Sequence, residues 1–505
     1  MGGEFMIVKN ESGEFNTTLY LSDWRYSAAA LGLYRYFEFK GIPYQVLSDG
    51  ISYNRETAVG DDSQKDYLDF SENYFKDSMH HLVLKDLNKK EELSEDEIKL
   101  YNEKLKANTQ LKKVFKSHKK FDENNRDAVS VLLEENRYSI LQETFRNGKS
   151  TYANFANTGA LFSPKLKICR LNGYYADLPK KSKSISYNWD YSTFISQDEP
   201  EFDFIPFAFS KTREAFFLNN SCSMEDLIAA NKMLVDEMLT EEENKNNPRI
   251  ALFITSSLVS EFAQNNIEII VKNRSEDFFR TLYLRREASE IFYKLWERFY
   301  RENKKGYYFA VTTPLKLSRG NSRANEGGYI DLLKESTNSV INSVHHDELI
   351  ELLLREKDFQ GRSKQENTNQ SSERLKFRID ELIRVNRMIY EKEYNMSEKQ
   401  QNYYIMQAKD NAQKIVQSLK GSSPHNYENK LKSYRVKLTS CLTFKDYDRF
   451  NTILLQVSAY SAVQMQFAEP LFKDFEQNKN IAFTFVNNLA KITDSKKEEE
   501  DNIDE

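Results

Sequence analysis

The segment from Gln360 to Ser372 contains no apolar residue and divides the chain into two parts of different character. Gln, Asn and Ser accumulate there, and this composition is typical of a linker because it cannot contribute to a packed core. Beyond the segment, apolar residues recur at helical spacing. The sequence therefore predicts an α+β domain over residues 6–359, mainly helical with small sheets, then a polar linker over residues 360–372 and an all-α helical bundle over residues 373–491.

The two ends of this chain of 505 residues lie outside that division. Residues 1–5 precede a second methionine, Met6, and are expected to be a cloning remnant. Residues 492–505 carry seven acidic residues against two lysines, which predicts a disordered acidic tail. Neither a basic-then-apolar leader nor a run of about 18 apolar residues is present, so we expect a cytoplasmic protein that does not associate with membranes.

Local patterns predict the first elements of the α+β domain. Ser22 can cap a helix that contains Trp24, and Gly41 can end it. Ser48-Asp49-Gly50 lies between two short apolar runs and signals a β-hairpin. Residues 80–127 are rich in Lys, Glu and Leu without Gly or Pro, which predicts a charged helical hairpin or an exposed insertion.

Later in this domain, residues 276–303 show a long helical pattern with arginines among aromatic residues, followed by a strand-like run at residues 307–311. A basic loop with several glycines then covers residues 316–328. Neither of the glycine motifs that bind dinucleotides or nucleoside triphosphates is present, so a nucleotide-hydrolysis site is not predicted.

The predicted bundle contains about five helices. Its second helix, residues 397–420, is amphipathic: on a helical wheel, Ala408, Ala412, Ile415 and Leu419 share one side. The lysines of this helix fall on the opposite side, and they are Lys399, Lys409, Lys414 and Lys420. Further helices are predicted over residues 426–440, 445–465 and 478–491.

Charge is distributed very unevenly for a chain whose formal net charge is −5. Val271–Arg323 holds thirteen Lys or Arg against six Asp or Glu, and Arg374–Arg449 holds sixteen against nine. Basic stretches of this kind favour contact with polyanions, because neutralisation of phosphates by Lys and Arg dominates affinity for nucleic acids. The alternative, that each stretch is only a solvated helix face, stays open at the level of sequence.

Three groups of residues are candidates for contact with nucleic acid. Loops over residues 147–188 interleave Asn and Lys with aromatic residues, which suits contact with base edges and phosphates. The candidates in these loops are Asn147, Lys149, Asn154, Asn157, Lys181 and Lys183. The candidates for clamping a nucleic-acid backbone are Arg285, Arg286, Arg319 and Arg323 in the first basic block, and Lys409, Lys414, Lys420, Lys432, Arg435 and Lys437 in the bundle.

The sequence offers little for catalysis. His345-His346-Asp347 contains the two-residue core of HD phosphohydrolases, so a metal-dependent nuclease is one alternative function, and a helical protein-interaction scaffold is another. Three widely separated cysteines, Cys169, Cys222 and Cys441, predict neither a disulfide framework nor a zinc site. We therefore expect no catalytic residues, no metal and no cofactor.

Three segments resemble a known family. They are Leu21–Arg35 with its tryptophan and small residues, Phe204–Ser210 with Phe216–Asn219, and Asp448–Leu455 with Phe472 and Ala482–Leu489. In their order along the chain and in their pattern of residue types, these segments are similar to the large subunit of type I CRISPR Cascade surveillance complexes, the Cas-eight family. The similarity is greatest to the type I-B branch of that family. Many relatives carry paired CxxC zinc ligands, whereas only Cys169 and Cys222 stand in the corresponding region here.

The resemblance implies a non-catalytic subunit of an RNA-guided complex. Such a subunit contacts the 5′ end of the guide RNA, reads a protospacer-adjacent motif in duplex DNA, helps to open the duplex and recruits a helicase-nuclease. Its partners include the Cascade backbone and small subunits, and its helical C-terminal part is similar to the small subunit that lines the path of the displaced strand. On this interpretation, the candidates in loops 147–188 read the motif and those in the bundle follow the displaced strand.

Overall fold

In the computed structural model, the chain divides into two compact units. The first comprises Met1–Thr255 with Glu261–Leu284, and the second comprises Ser256–Ser260 with Arg285–Glu505. The structure describes residues 7–9, 14–60, 63–76, 79–146, 162, 174, 199–212, 214–240, 252, 267–273, 278–301, 311, 315–317, 329–360, 368–394 and 398–490. Helices combined with small antiparallel sheets confirm the predicted α+β class.

The first sheet of unit 1 has four antiparallel strands in the order β1-β2-β4-β3. Their bounds are β1 Ile7–Lys9, β2 Thr17–Tyr20, β3 Tyr44–Leu47 and β4 Gly50–Tyr53. Val46 pairs with Ile51, and Leu47 pairs with Gly50, so only Ser48 and Asp49 connect the two strands. The hairpin predicted at this position is confirmed.

Helix α1 (Trp24–Lys40) forms the middle of the core of unit 1. Asp23, one residue after the predicted Ser22, caps the helix, because its Oδ1 accepts a hydrogen bond from the Arg25 backbone at 2.8 Å. The helix ends as predicted at Gly41, whose φ of 68° is accessible to glycine at little cost. The residues from Ala28 to Gly32 are buried and all but Leu31 are small, so another segment can approach this part of the helix closely.

The segment that approaches α1 is a 3₁₀ helix, Pro200–Ala208, in which every residue is buried. A Cβ atom at Gly32 would lie 2.0 Å from the carbonyl oxygen of Phe204, so only glycine fits there. Arg35 donates a hydrogen bond to the carbonyl of Phe207, and the Tyr67 hydroxyl donates to the carbonyl of Asp203 at 2.6 Å. The segment is thus held by both apolar and polar contacts.

A second sheet of unit 1 corrects one prediction. Its strands are β5 Glu214–Asn219, β6 Ile267–Asn273 and β7 Phe279–Leu284, all antiparallel. The helix predicted over residues 276–303 is wrong for β7, where Leu284 pairs with Ile267 and Phe279 with Lys272. Aromatic and β-branched residues favour a strand once a partner strand is present, and that partner is not visible from local sequence.

The other helices of unit 1 include a group with a separate core. Their bounds are α2 Arg55–Val59, α3 Ser63–Tyr74, α4 His80–Asn88, α5 Glu95–Lys104, α6 Thr109–Val114, α7 Arg126–Glu135, α8 Arg137–Arg146 and α9 Met224–Thr240. Helices α4 to α8 enclose buried Leu87, Tyr101, Leu111 and Leu133, so residues 79–146 form a small helical module and not the predicted hairpin. The module is joined to α3 through Glu72, whose Oε2 accepts a hydrogen bond from Arg137 Nε at 2.8 Å.

Unit 2 is mainly helical and includes the predicted bundle. Its helices are α10 Arg286–Arg301, α11 Leu332–Ile341, α12 Asp347–Gln360, α13 Thr368–Tyr394, α14 Glu398–Ser422, α15 Tyr427–Thr443, α16 Tyr447–Ser461, α17 Glu469–Lys473 and α18 Phe475–Asn488. Two short strands, β8 Leu315–Lys316 and β9 Tyr329–Ile330, pair antiparallel. The helices predicted after residue 372 are confirmed within a few residues at each end.

The boundary between the units differs from the one that composition predicts. It falls between Leu284 and Arg285, and α12 packs against both α13 and α15, so residues 285–359 belong with the bundle. Thr368–Ser372, predicted as linker, forms the first turns of α13. A polar composition indicates that a segment is exposed to solvent. An exposed segment need not lie between two hydrophobic cores, so it need not mark the boundary between two units.

A buried polar network joins four helices of unit 2. Lys357 on α12 donates to the carbonyl oxygen of Asn487 at 2.6 Å and to its Oδ1 at 2.9 Å, and Asn487 donates to Asp380 on α13 at 2.8 Å. Arg435 on α15 forms an ion pair with Asp358, the residue after Lys357. Burial, with the nearby charge of Arg435, lowers the pKa of Lys357 to about 7. The network therefore holds a lysine that loses its proton easily.

The contact at Gly32 predicts a large effect of a single methyl group. Gly32→Ala should destabilise unit 1 by roughly 1–3 kcal/mol or more, because the backbone of a packed segment has to move. Gly421→Ala adds the same methyl group to a helix where nothing lies within 4 Å, and it should be neutral or slightly stabilising. Chemical denaturation of both variants measures the difference, and equal stabilities would contradict the close approach.

The burial of Lys357 predicts a pH-dependent stability. Between about pH 7 and pH 10.5 the unfolded state binds more protons at this residue, so its contribution to the free energy of unfolding rises with pH. Lys357→Met removes that contribution, and the stability of the wild type relative to the variant should increase from pH 7 to pH 10. Urea denaturation across this range is the measurement, with Lys420→Met as a control for loss of an ammonium group. A difference that does not vary with pH would show that Lys357 stays protonated in the fold.

Candidate nucleic-acid interface

Helix α14 separates a buried face from a face that carries lysines. Ala408, Ala412, Ile415 and Leu419 are at most 1% exposed, and α14 packs against α15, α16 and α18. Lys409, Lys414 and Lys420 are exposed, as the helical wheel predicts. The side chain of Lys399 lies outside the described part of the chain. The two faces of α14 arise because its apolar residues recur every three to four positions and therefore share one side of the helix. When that side packs against the other helices, the lysines are left in solvent.

The three lysines differ in their surroundings. Lys409 is close to Asp380 on α13: burial raises the pKa of this carboxyl group, and the charge of Lys409 is one of several that oppose the rise. No ion pair joins Lys414 or Lys420 to a carboxylate within the residues described by the structure. Their ammonium groups are therefore available to an external anion.

The candidates on α15 fall into two classes. Arg435 is only 12% exposed, pairs with Asp358 and donates to the carbonyl of Leu489 at 3.1 Å, so its charge is used inside the fold. Lys432 lies near the same Asp358. Lys437 is exposed and, among described residues, makes no ion pair. The candidates of the bundle that are exposed and form no ion pair among the described residues are accordingly Lys409, Lys414, Lys420 and Lys437, and we call these four lysines the bundle surface.

An exposed aromatic ring beside a lysine was missed by the sequence analysis. The Nζ atom of Lys430 on α15 lies 4.7 Å from the ring centre of Tyr460 on α16, and the same atom donates to Ser423 Oγ at 3.1 Å. The hydrogen bond from Lys430 lowers the pKa of Tyr460. A half-exposed ring next to a cation can stack on a base while the cation contacts phosphate. The pair arises only from the packing of α15 on α16, so no local signal reveals it.

Arg285 and Arg286 in the first basic block are exposed at the start of α10. Arg286 Nε lies 3.8 Å from Glu290, a distance typical of a weak surface ion pair. The start of a helix carries a partial positive charge, so two arginines there do not stabilise the helix. Arg319 and Arg323 lie outside the described residues, as do all six loop candidates, Asn147, Lys149, Asn154, Asn157, Lys181 and Lys183.

The sequence His345-His346-Asp347 connects helices of unit 2. Nε2 of His346 is hydrogen-bonded to Ser336 Oγ at 2.8 Å, and the backbone of His346 donates to Asn386 Oδ1 at 2.6 Å. Asn386 donates in turn to Asp347 at 2.7 Å. The ring of His345 stacks on that of Tyr390 with the centres 3.8 Å apart. Burial lowers the pKa of His346 to about 4, so the ring is neutral near pH 7.

His345, His346 and Asp347 line an open cleft of about 870 Å³. Glu351 also lines it, and burial together with the nearby Asp347 raises the pKa of Glu351 to about 7. Within the described part of the chain, no group of three or more His, Cys, Asp or Glu has the geometry of a metal site. The contacts of His346 and Asp347 are those of a junction between helices.

Two further expectations concern cysteines and membranes. Cys222 is exposed and Cys441 is buried, whereas Cys169 lies outside the described residues. None of the helices in the described ranges combines the length and the apolar character that crossing a bilayer requires.

Comparison with known proteins gives one family. The profile of the family described as CRISPR-associated protein Csx8 matches residues 15–264 and 235–489. No curated protein and no solved structure matches the chain significantly. The family match confirms the resemblance to Cas-eight large subunits, since it spans α1, the 3₁₀ segment and the bundle. Because the two matches cover almost the whole chain, the protein belongs to the CRISPR-associated protein Csx8 family, a Cas-eight-like family of CRISPR effector-complex subunits.

Proposed function

We propose that the protein is the non-catalytic large subunit of an RNA-guided CRISPR interference complex of type I, similar to type I-B. In this role it contacts the 5′ end of the guide RNA, recognises a protospacer-adjacent motif in duplex DNA, helps to open the duplex and recruits a helicase-nuclease. Its partners are the guide RNA, the target DNA, and the backbone and small subunits of the complex, and it acts in the cytoplasm. Membership of the Csx8 family supports this assignment.

The observation that carries the proposal is the lysine surface of the bundle, Lys409, Lys414, Lys420 and Lys437. The lysines project from α14 and α15, whose opposite faces are packed into a core. Positions on packed helices are fixed, so each of these charges is held in place by the helix that carries it. Lysine neutralises phosphate as a point charge and does not distinguish bases. Such a surface suits a subunit that holds DNA of any sequence.

Exposed aromatic residues on the same bundle favour the displaced single strand as the ligand of this surface. Phe444 is 79% exposed, and the rings of Tyr403 and Tyr460 are about half exposed. Proteins that bind single strands without sequence preference combine a basic surface with aromatic rings on which bases stack. Bases are available for stacking in the displaced strand and not in a duplex.

A subunit with this surface does not need a catalytic site. Pairing between the guide and the target strand supplies the specificity for sequence, so the protein reads only a short motif and the backbone. We propose the loops over residues 147–188 for reading the motif, with Asn147, Asn154 and Asn157 as donors and acceptors to base edges. Arg285 and Arg286 are proposed to clamp the backbone.

Removing lysines from the bundle surface should weaken binding to single-stranded DNA. In the variant Lys414→Gln, Lys420→Gln, Lys437→Gln, each lost phosphate contact lowers the slope of log K against log salt by roughly 0.7, and three contacts lower it by about 2. The measurement is fluorescence anisotropy of a labelled oligonucleotide from low to moderate salt. These substitutions break no ion pair of the described structure, so the fold should persist.

A matched control removes three lysines that are already paired with carboxylates. Lys85, Lys89 and Lys99 form ion pairs with Glu134, Asp86 and Asp96. Their replacement by Gln changes the net charge by the same amount and should leave the slope nearly unchanged. Equal slopes for the bundle variant and the wild type would remove the bundle surface from the proposal.

The wider proposal predicts that RNA accompanies the protein. Purification of the tagged chain from its native host should yield short RNAs of uniform 5′ end, each joining a common sequence to a variable guide. Sequencing of the bound RNA is the measurement, and an unrelated tagged protein of similar charge is the control. If no RNA is enriched, the protein does not act in a guide-RNA complex.

A further inference from the structure

A second basic surface lies in the small helical module, residues 79–146, and falls outside both basic blocks of the sequence. Between Lys104 and Lys120 the chain contains seven lysines and no acidic residue. This lysine cluster comprises Lys104, Lys106, Lys112, Lys113, Lys116, Lys119 and Lys120. The charge per residue is higher than in either basic block, but the acids on both sides of the cluster conceal it in a count over the whole module.

The backbone beneath the lysine cluster is fixed at several points. Leu111 and Phe115 are buried in the core of the module. Asn108 caps α6, because its Oδ1 accepts a hydrogen bond from the backbone of Leu111 at 2.8 Å. At the far end, Asn102 Oδ1 accepts from the backbone of Phe121 at 2.7 Å. Six of the seven lysines are exposed, and Lys104 is half-buried, so the charges stand on a rigid support.

The lysine cluster differs from the other lysines of the module in its pairing. Lys85, Lys89, Lys90 and Lys99 each form an ion pair with a carboxylate of the module. None of the seven lysines of the cluster forms an ion pair within the described part of the chain. Like charges held close together repel one another and destabilise the folded state. A polyanion bound at this surface would remove that repulsion.

We infer that the lysine cluster binds the phosphate backbone of duplex DNA without regard to sequence. The cluster supplies only point charges, which neutralise phosphates and do not read bases. It offers no stacking surface: Phe115 is buried, and Phe121 packs edge-on against Tyr101 at 5.1 Å with Arg126 over its ring. A single strand would leave its bases without partners here, whereas the bases of a duplex are already paired and stacked and its phosphates face outward.

The inference deepens the proposed function and rests on it for the choice of nucleic acid as the polyanion. The bundle surface is assigned to the displaced strand, and the lysine cluster would hold the duplex that has not yet been opened. Because attraction between lysines and phosphates does not depend on sequence and lets a protein slide along DNA, the surface would also retain the complex on DNA during the search for a target.

The experiment uses the full chain and two duplexes of unrelated sequence. The variant Lys112→Gln, Lys113→Gln, Lys116→Gln should bind both duplexes at least roughly tenfold more weakly at low salt, with a slope of log K against log salt lower by about 0.9 for each lost contact. The control is the variant Lys85→Gln, Lys89→Gln, Lys99→Gln, which removes the same charge from the same module. Circular dichroism establishes that both variants are folded.

The outcomes separate this inference from the proposed function. If the cluster variant and its control bind duplex equally, the inference is overturned, whereas loss of single-strand binding in the bundle variant would still support the proposed function. If the cluster variant loses affinity for a single strand and not for duplex, the assignment to duplex is wrong. A wild-type chain that binds neither form at low salt would contradict both proposals.

Discussion

The close approach of α1 to the 3₁₀ segment is the constraint on which the core of unit 1 depends. Within this 3₁₀ helix Pro206 has no N–H to donate to the carbonyl of Asp203, and the carbonyl of Phe207 lies at the end of the helix. An unpaired buried carbonyl costs about 1–3 kcal/mol. Arg35 and Tyr67 donate to the carbonyl groups of Phe207 and Asp203, so α1 and α3 supply the missing donors. These hydrogen bonds form only if the segment reaches α1, and Gly32 is what permits that distance.

Unit 2 is organised by polar residues in a similar way. Lys357, Arg435 and Asn487 connect α12, α15 and α18, and Asn386 connects the start of α12 to α13 and, through Asn480, to α18. A buried polar group is costly without a partner, so each such contact excludes arrangements of the helices in which the partner is absent. This specificity fixes the order of the helices and hence the positions of the exposed lysines. The rigid presentation of charge is therefore a consequence of the interior and not of the surface residues themselves.

Local patterns predict the elements of this protein well and their assembly poorly. The hairpin at Ser48, the end of α1 at Gly41 and the two faces of α14 all depend on turn chemistry or on helical period, which are properties of short segments. The strand β7 was predicted as helix because its partner β6 is a separate segment of the chain. The core of residues 79–146 and the boundary at Arg285 depend on contacts between distant segments, which composition does not encode.

The number of charged residues in a segment follows from the sequence, but the structure determines which of these charges an external partner can contact. Arg435 adds as much to the charge of its basic block as Lys414 does, and Lys357 adds as much to the net charge of the chain, yet Arg435 is paired with Asp358 and Lys357 is buried against Asn487. The net charge of −5 says little about affinity, since paired carboxylates do not repel a strand as free ones would. Binding of a polyanion depends on exposed cations without a carboxylate nearby, and that property requires both burial and pairing to be known. By that criterion Lys414, Lys420 and Lys437 of the bundle surface are equivalent to the exposed lysines of the cluster, although the charge counts over the two long basic blocks reveal only the first group.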